Sequence, residues 1–167
     1  MGSTEATGIF SAPVWWDPRA RKVIFDKKSV IPGVLVAAGD NLSFVGPTEI
    51  VFDLLRADTE IEFLQLTSGF EVRTGDSRYR VFLRPPVNGV PLLDRDAVLA
   101  IGLGLTRTAT VTDWTAARLH KPVDAVTSHE LGEVAADILG IVAADVAGAL
   151  GKDRCTALRA MWATSGS

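Results

Sequence analysis

The chain is poor in the residues that build disulfide scaffolds and metal centres. It contains one cysteine, Cys155, and two histidines, His120 and His129, among 167 residues. A single cysteine forms no internal disulfide, which excludes a disulfide-stapled secreted scaffold. One cysteine and two histidines also argue against a structural zinc cluster. A chain of this length buries a core without such staples, so we expect one domain, or one small domain with an appendage.

The net charge is also small, and long apolar runs are absent from the sequence. The net charge is −3 and the isoelectric point is about 5.4, which argues against a general affinity for nucleic acid. The sequence has no run of about 18 uncharged apolar residues, so we expect no transmembrane segment. Residues 1–8 lack the basic and apolar regions of a secretory signal. We therefore expect a cytoplasmic location, with a peripheral position at the membrane as one option.

A regular series of short apolar runs fills residues 21–84 and predicts seven strands. Phe70 and Val72 alternate with Glu71 and Arg73, as expected for a strand with one buried and one wet face. This pattern is typical of an antiparallel sheet that is curled or paired, and not of a parallel α/β sheet. The predicted strands cover residues 23–25, 33–37, 42–44, 49–54, 61–67, 70–74 and 79–83.

The next stretch is less regular. Residues 85–107 are predicted as a loop that contains an apolar run, and three interpretations stay open: a crossover, an extra helix over 96–102, or a functional loop. Gly102 and Gly104 form a G-x-G pair without a third glycine, which predicts a hinge or turn more than a phosphate loop. Residues 108–120 are predicted to form a helix carrying Trp114, with Thr112 or Asp113 as N-cap and Pro122 after its end.

Several of these segments resemble the bacterial GRAM and pleckstrin-homology-like (PH-like) domains. The spacing Gly33-x-Leu35, followed after a turn by Leu42-x-Phe44, resembles the first two strands of that family. A strand ending in a polar turn, a strand pair around a glycine, and a strand with an aromatic and an arginine follow in the family's order. Their counterparts here are residues 51–58, 63–72 and 79–82, and Trp114 stands where the family has the tryptophan of its closing helix.

The resemblance implies an α+β fold, a seven-stranded antiparallel PH-like β-barrel closed by a C-terminal helix. In this chain a helical extension would follow the barrel. The expected organisation is an N-terminal arm over 1–20, a PH/GRAM-like β domain over 21–120, and a helical C-terminal extension over 121–167. In this arrangement Trp114 is expected to plug the core of the barrel.

The tail carries two helical patterns. From Glu130 to Gly151 apolar residues recur at helical spacing, and a break precedes a predicted final helix over 154–162. Small residues also recur every four positions and form a ridge that allows another backbone to come close. We interpret it either as a helix docked on its own sheet, or as a helix hairpin or dimer interface. This helix-packing ridge consists of Gly132, Ala136, Gly140, Ala144 and Gly148.

A basic cluster near the start of the chain follows two tryptophans. Aromatic rings beside bases suit a membrane interface, where the rings enter the headgroup layer and the bases meet anionic lipid. The alternative is that the tryptophans pack on the sheet while the bases are solvated. The expected membrane or partner surface comprises Trp15, Trp16, Arg19, Arg21, Lys22, Lys27 and Lys28.

The sequence offers only weak candidates for catalytic or metal-binding residues. His129 and Glu133 stand at i and i+4, a spacing that can place two metal ligands on one face of a helix. We interpret this segment instead as a helix start, with Thr127 or Ser128 as cap and Glu130 or Glu133 as first-turn charge. Cys155 has basic neighbours in sequence but no base suited to activate it. We therefore predict no catalytic residues, no metal and no cofactor.

Three functional hypotheses follow. The first is a non-catalytic PH/GRAM-like interaction module that binds a protein partner or an anionic membrane surface. The second is a small-molecule-binding protein or an enzyme with a pocket between the barrel and the tail. The third is a structural self-association domain, a homo-oligomer formed through the C-terminal helices.

Overall fold

The computed structural model describes residues 8–18, 30–64, 69–83, 94–144 and 157–159, which form an α+β fold. Helix α1 is Arg95–Leu105, α2 is Ala109–Leu119 and α3 is Ser128–Ala144, with 3₁₀ turns at Arg56–Asp58 and Val123–Ala125. Residues 157–159 are helical as well. The strands are β1 Ile9–Asp17, β2 Ile31–Ala38, β3 Asn41–Val45, β4 Ile50–Leu55, β5 Glu60–Phe63, β6 Gly69–Thr74 and β7 Ser77–Phe82.

The seven strands form one antiparallel sheet in the order β4-β3-β2-β1-β7-β6-β5. Strand β1 joins the two halves, since it pairs with β2 from Ile9 to Trp16 but with β7 only from Trp15 to Asp17. Pro13 lies in the part of β1 that is registered with β2 alone. A proline has no backbone N–H to donate. Within the described residues no strand pairs with the other side of β1 at this position, so the strand accommodates the proline.

The sheet is strongly curled. The rings of Phe52 on β4 and Tyr79 on β7 have centroids 4.9 Å apart, although β3, β2 and β1 lie between these strands in the sheet. In a flat sheet, strands in these two positions would be about 19 Å apart. The ring of Trp16 bridges the concave side, with centroids 6.2 Å from Phe44 and 6.0 Å from Tyr79. We call this concave side the inner face and the opposite side the outer face.

Within the described residues the curled sheet is open, so the expected closed barrel is not supported. Its two edge strands, β4 and β5, follow each other in sequence but are not paired. The connection between them folds on itself: the Thr59 N–H donates to the Arg56 carbonyl at 3.1 Å and its hydroxyl donates to the Leu55 carbonyl at 2.7 Å. This 3₁₀ turn is not a tight hairpin, and β5 leaves it without continuing the ladder of β4.

The inner face holds the larger aromatic core. Side chains of alternate positions on the strands meet there, because neighbours along a strand point to opposite faces. Leu158, from the helical segment 157–159, is fully buried in the same cluster. The expected core plug, Trp114, lies elsewhere: it is part of α2 and packs with the helices on the outer face. Leu158 of the tail, and not Trp114, is therefore part of the inner core.

Helices α1, α2 and α3 form a layer on the outer face of the β1–β4 half of the sheet. Val34 and Val36 of β2 point into this layer, while Leu35 and Ala37 point into the inner core. Strand β2 is thus covered on both faces, which explains its unbroken apolar sequence. Residues of the expected β domain and of the expected helical extension share this one cluster.

Strands β2 to β7 coincide broadly with six predicted strands. The predicted strand at 23–25 lies outside the described residues, and β1 instead falls in the segment expected to be an arm. Of the three interpretations left open for residues 85–107, the structure shows the extra helix, and it is longer than 96–102, as α1. The helix over 108–120 is confirmed as α2, but its N-cap is Thr108, whose hydroxyl accepts from Val111 N–H, and not Thr112 or Asp113.

Candidate interaction surfaces

The expected membrane surface is only partly within the described residues. Trp15 is 3% exposed and forms a small buried cluster with Val30. Trp16 is half-buried against the inner core. Both tryptophans therefore follow the alternative in which they pack on the sheet. The bases of this expected surface, Arg19, Arg21, Lys22, Lys27 and Lys28, lie outside the described residues.

The small-residue ridge of α3 faces solvent. Helix α3 docks on the sheet through Val134, Ile138 and Val142, which are buried. Gly132 and Gly140 are exposed, and a Cβ placed on either would meet nothing within 4 Å. Ala136 between them is exposed too. The helix thus docks on its own sheet through its other face, and the ridge stays open. The side chain of Ala144 and all of Gly148 lie outside the described residues.

The glycines that do allow close packing are on α1. A Cβ on Gly104 would lie 2.6 Å from Val45 Cγ1 on β3, and one on Gly102 would lie 3.1 Å from Leu139 Cδ1 on α3. The predicted hinge or turn at this G-x-G pair is therefore wrong. Both glycines are helical, and their missing side chains let α1 approach the sheet on one side and α3 on the other.

Two large leucines on α1 point away from the core. Leu99 is 62% exposed and Leu103 is 65% exposed, whereas Ile101 and Leu105 are fully buried. Residues four apart lie on one side of a helix, so the two leucines form a continuous apolar strip. Because Gly102 and Leu139 meet where α1 contacts α3, this strip and the ridge belong to the same outer surface. We call this surface the helical outer face, and it consists of Leu99, Leu103, Gly132, Ala136 and Gly140.

Acidic side chains flank this face. Glu133 and Asp137 follow Gly132 and Ala136 directly in α3 and are exposed, and Asp96 is exposed in the first turn of α1. His129 lies 3.4 Å from Glu133, an exposed i,i+4 pair. The surface is therefore apolar in the middle with acidic side chains beside it.

A polar junction fixes α2 on the sheet. The Ser43 hydroxyl on β3 donates to Asp53 Oδ1 at 2.6 Å and lies 2.6 Å from the Thr110 hydroxyl. The other Asp53 oxygen accepts from the Ala109 backbone N–H at 2.9 Å. Beside it, Asn41 Nδ2 donates to Asp113 Oδ2 at 3.0 Å. The local sequence around Asp53 does not show that a helix N-terminus meets it there.

The outer face of the β5–β7 half is charged. Directly opposed residues form two rows, Glu60–Arg73–Arg78 and Glu62–Glu71–Arg80. Glu71 is the most enclosed of these, with its side chain 12% exposed, and it lies 3.4 Å from Arg73 Nε and 3.6 Å from Arg80 Nη2. Arg73 also pairs with Glu62. The alternation of Glu71 and Arg73 with Phe70 and Val72 predicted a wet face on strand β6 from sequence.

The start of α3 confirms the predicted cap. The Thr127 hydroxyl accepts from Glu130 N–H at 3.1 Å, and Glu130 Oε1 accepts from Thr127 N–H at 2.9 Å, a reciprocal capping box. Lys121 Nζ lies 2.7 Å from the other Glu130 oxygen. The hydrogen bond from Lys121 and that from the Thr127 backbone lower the pKa of Glu130 to about 2.

Two features bear on metals and membranes. Within the described ranges, no group of three or more His, Cys, Asp or Glu side chains is placed to hold a metal ion. In the same part of the chain, every helix is too short or too polar to cross a bilayer.

Comparison with known proteins identifies no relative. The chain matches no family model, and no curated protein and no solved structure is significantly similar to it. The resemblance to GRAM and PH-like domains therefore stays a prediction.

Proposed function

We propose that this chain is a non-catalytic interaction module that binds a protein partner through the helical outer face. The observation that carries the proposal is the exposure of Leu99 and Leu103, at 62% and 65%, beside an uncovered ridge. Fully burying a leucine side chain is worth about 1.5–3 kcal/mol, so a partner that covers both gains substantial binding energy. Two well-placed anchors of this kind dominate many protein interfaces.

The partner segment that fits this face is an amphipathic helix with basic flanks. The small side chains of the ridge let another helix axis approach closely, and the leucine strip offers the apolar anchors beside it. Glu133 and Asp137 are exposed along the ridge, so Lys or Arg at the edges of the partner helix would meet opposite charge. A two-fold interface centred on the ridge would bring these acidic side chains near their own equivalents, so charge favours a partner over a second copy docked in that way.

The other hypotheses receive less support. The packed positions of Trp15 and Trp16 remove the aromatic part of the expected lipid surface. An acidic rim on the helical outer face also disfavours anionic lipid there. A PH/GRAM-like module stays compatible with the curled seven-stranded antiparallel sheet. Leu158 of the tail packs in the inner core.

A display selection tests the proposal. The probe is a library of amphipathic helical peptides of about 20 residues, roughly 30 Å long, selected on the intact chain and counter-selected on the double variant L99S/L103S. We expect enriched peptides to carry Lys or Arg beside their apolar stripe. Failure to enrich any peptide over the counter-selection would overturn the proposal.

Two parallel measurements identify the other occupants. Light scattering across a concentration series would show a doubled mass, abolished by L99S/L103S, if a second copy covers this face. Flotation with anionic and neutral vesicles at low and high salt would show salt-sensitive binding to the anionic vesicles, lost in L99S/L103S, if lipid covers it. Either of these results would contradict a protein partner at the helical outer face.

A further inference from the structure

Three arginines converge on one enclosed carboxylate on the outer face of β6 and β7. Glu71 Oε1 lies 3.4 Å from Arg73 Nε and 3.9 Å from Arg78 Nη1, and its Oε2 lies 3.6 Å from Arg80 Nη2. These separations exceed the 2.7–2.9 Å, approximately, of a good charge-assisted hydrogen bond. Arg73 Nη2 also donates to Glu62 on β5, so two carboxylates lie against the three guanidinium groups, and Arg78 is the least closely paired of the three.

The donors of this cluster are in surplus. Each guanidinium has five N–H groups. The Nε atoms of Arg73 and Arg80 are buried, and within the described residues neither has a hydrogen-bond partner. Arg73 and Arg78 are also directly opposite each other in the ladder, and like charges in that position are unfavourable. An additional anion beside the exposed Arg78 would relieve this repulsion.

The most accessible donor is Arg78, whose side chain is 66% exposed. Arg80 is two residues further along the same strand, so the two project from one face about 6.8 Å apart. This is also the spacing of alternate side chains in an extended peptide, whereas the oxygens of a single phosphate span a much shorter distance. On the β5 side, Glu60 and Glu62 would repel an anion. The anion is therefore expected on the side of the cluster away from β5, with Arg78 as principal contact.

We propose that this cluster, Arg73, Arg78 and Arg80 around Glu71, binds an acidic segment of a protein in extended conformation, with Asp or Glu at alternate positions. The surface lies on the β5–β7 half of the sheet, away from the half that the helices cover. It is therefore separate from the helical outer face, and neither surface depends on the other.

The test is fluorescence anisotropy with a labelled peptide of alternating Glu and Ser, and with a Lys and Ser peptide of equal length. We expect the acidic peptide to bind, and R78A/R80A to weaken it at least tenfold. The control R95A/R107A removes two exposed arginines from around α1 and should change the affinity less than twofold. The variant Glu62→Gln removes a repelling charge that is not enclosed, and should strengthen binding two- to threefold.

Several results would overturn this proposal. They are absence of binding by the acidic peptide, equal binding of the Lys peptide, or equal losses in R78A/R80A and R95A/R107A, which would indicate only general charge attraction. Displacement of the peptide by inorganic phosphate at equal or lower concentration would assign the cluster to a phosphate group instead. Salt-sensitive flotation with phosphatidylserine vesicles, lost in R78A/R80A, would assign it to a lipid surface.

Discussion

Asp53 of β4 accepts a hydrogen bond at 2.9 Å from the backbone N–H of Ala109, the first residue of α2. The two residues are 56 positions apart in sequence. The first N–H groups of a helix have no partner inside the helix, so a carboxylate supplied by the sheet both satisfies one of them and favours the helix dipole. This contact fixes where the helical layer begins on the sheet.

Replacing Asp53 should loosen that attachment. Asp53→Ala removes the acceptor for Ala109 and for the Ser43 hydroxyl, and we expect the free energy of unfolding to fall by about 1–3 kcal/mol. Asp58→Ala is the matched control, because Asp58 is an exposed aspartate in the 3₁₀ turn that follows β4. Urea denaturation measures both. A loss no larger in Asp53→Ala than in the control would contradict the proposed attachment.

The helical glycines should respond to alanine in opposite directions. In Gly104→Ala the new methyl group would overlap Val45, so we expect a loss of about 1–3 kcal/mol in stability. In Gly132→Ala the methyl group would enter open space, and the better helix propensity should raise stability by about 0.5–1 kcal/mol. Thermal denaturation of the two variants tests the placement of both helices. Stabilisation by Gly104→Ala would show that α1 is not packed closely on β3.

His120 ends α2 in a left-handed backbone conformation, with φ 56° and ψ 44°. A side chain in this region costs free energy that glycine does not incur. We expect His120→Gly to be more stable than His120→Ala by about 1 kcal/mol, since both variants lose the imidazole and differ only in backbone freedom. Equal stabilities of the two variants in chemical denaturation would show that this end of α2 is not held in that conformation.

The capping box gives a pH dependence. Lys121 and Thr127 lower the pKa of Glu130 from 4.5 to about 2 in the folded chain. A lowered folded-state pKa stabilises the fold above the unfolded-state value, and that stabilisation is lost as the pH falls towards the folded-state value. We expect wild type to exceed Glu130→Gln in stability at neutral pH, and the difference to shrink between pH 4.5 and about 2. Urea denaturation across this range measures it, and a constant difference would refute the assignment.

Local patterns predicted much of the fold because they depend on near neighbours. Alternation and turn residues located β2 to β7, and the spacing of Thr127 and Glu130 located the start of α3. Strand β1 was missed because Pro13 interrupts it, and a proline is tolerated there only because β7 does not pair with that part of the strand. Pairing on one side only cannot be read from the residues of β1 themselves.

The candidate interaction surfaces could not be predicted in this way, because they depend on contacts between segments distant in sequence. Periodicity placed Gly132, Ala136 and Gly140 on one side of a helix, but it does not say whether that side meets the sheet or the solvent. The packing role of Gly104 depends on Val45, which lies on β3. Likewise, the edge strands β4 and β5 are unpaired because of the direction in which the short turn between them leads the chain. Tertiary packing decides each of these points, and a single sequence shows it only indirectly.

The affinity of a selected helical peptide for leucine variants shows whether a partner binds at the helical outer face. L99S/L103S should weaken binding by about tenfold or more, since two anchors are removed from the helical outer face. L55S/L119S is the matched control, because it replaces two leucines that are 53% and 40% exposed on β4 and α2. We expect this control to bind within about twofold of wild type, and thermal denaturation should show that both double variants are folded. Equal affinities of L99S/L103S and L55S/L119S for the peptide would contradict a partner site on the helical outer face.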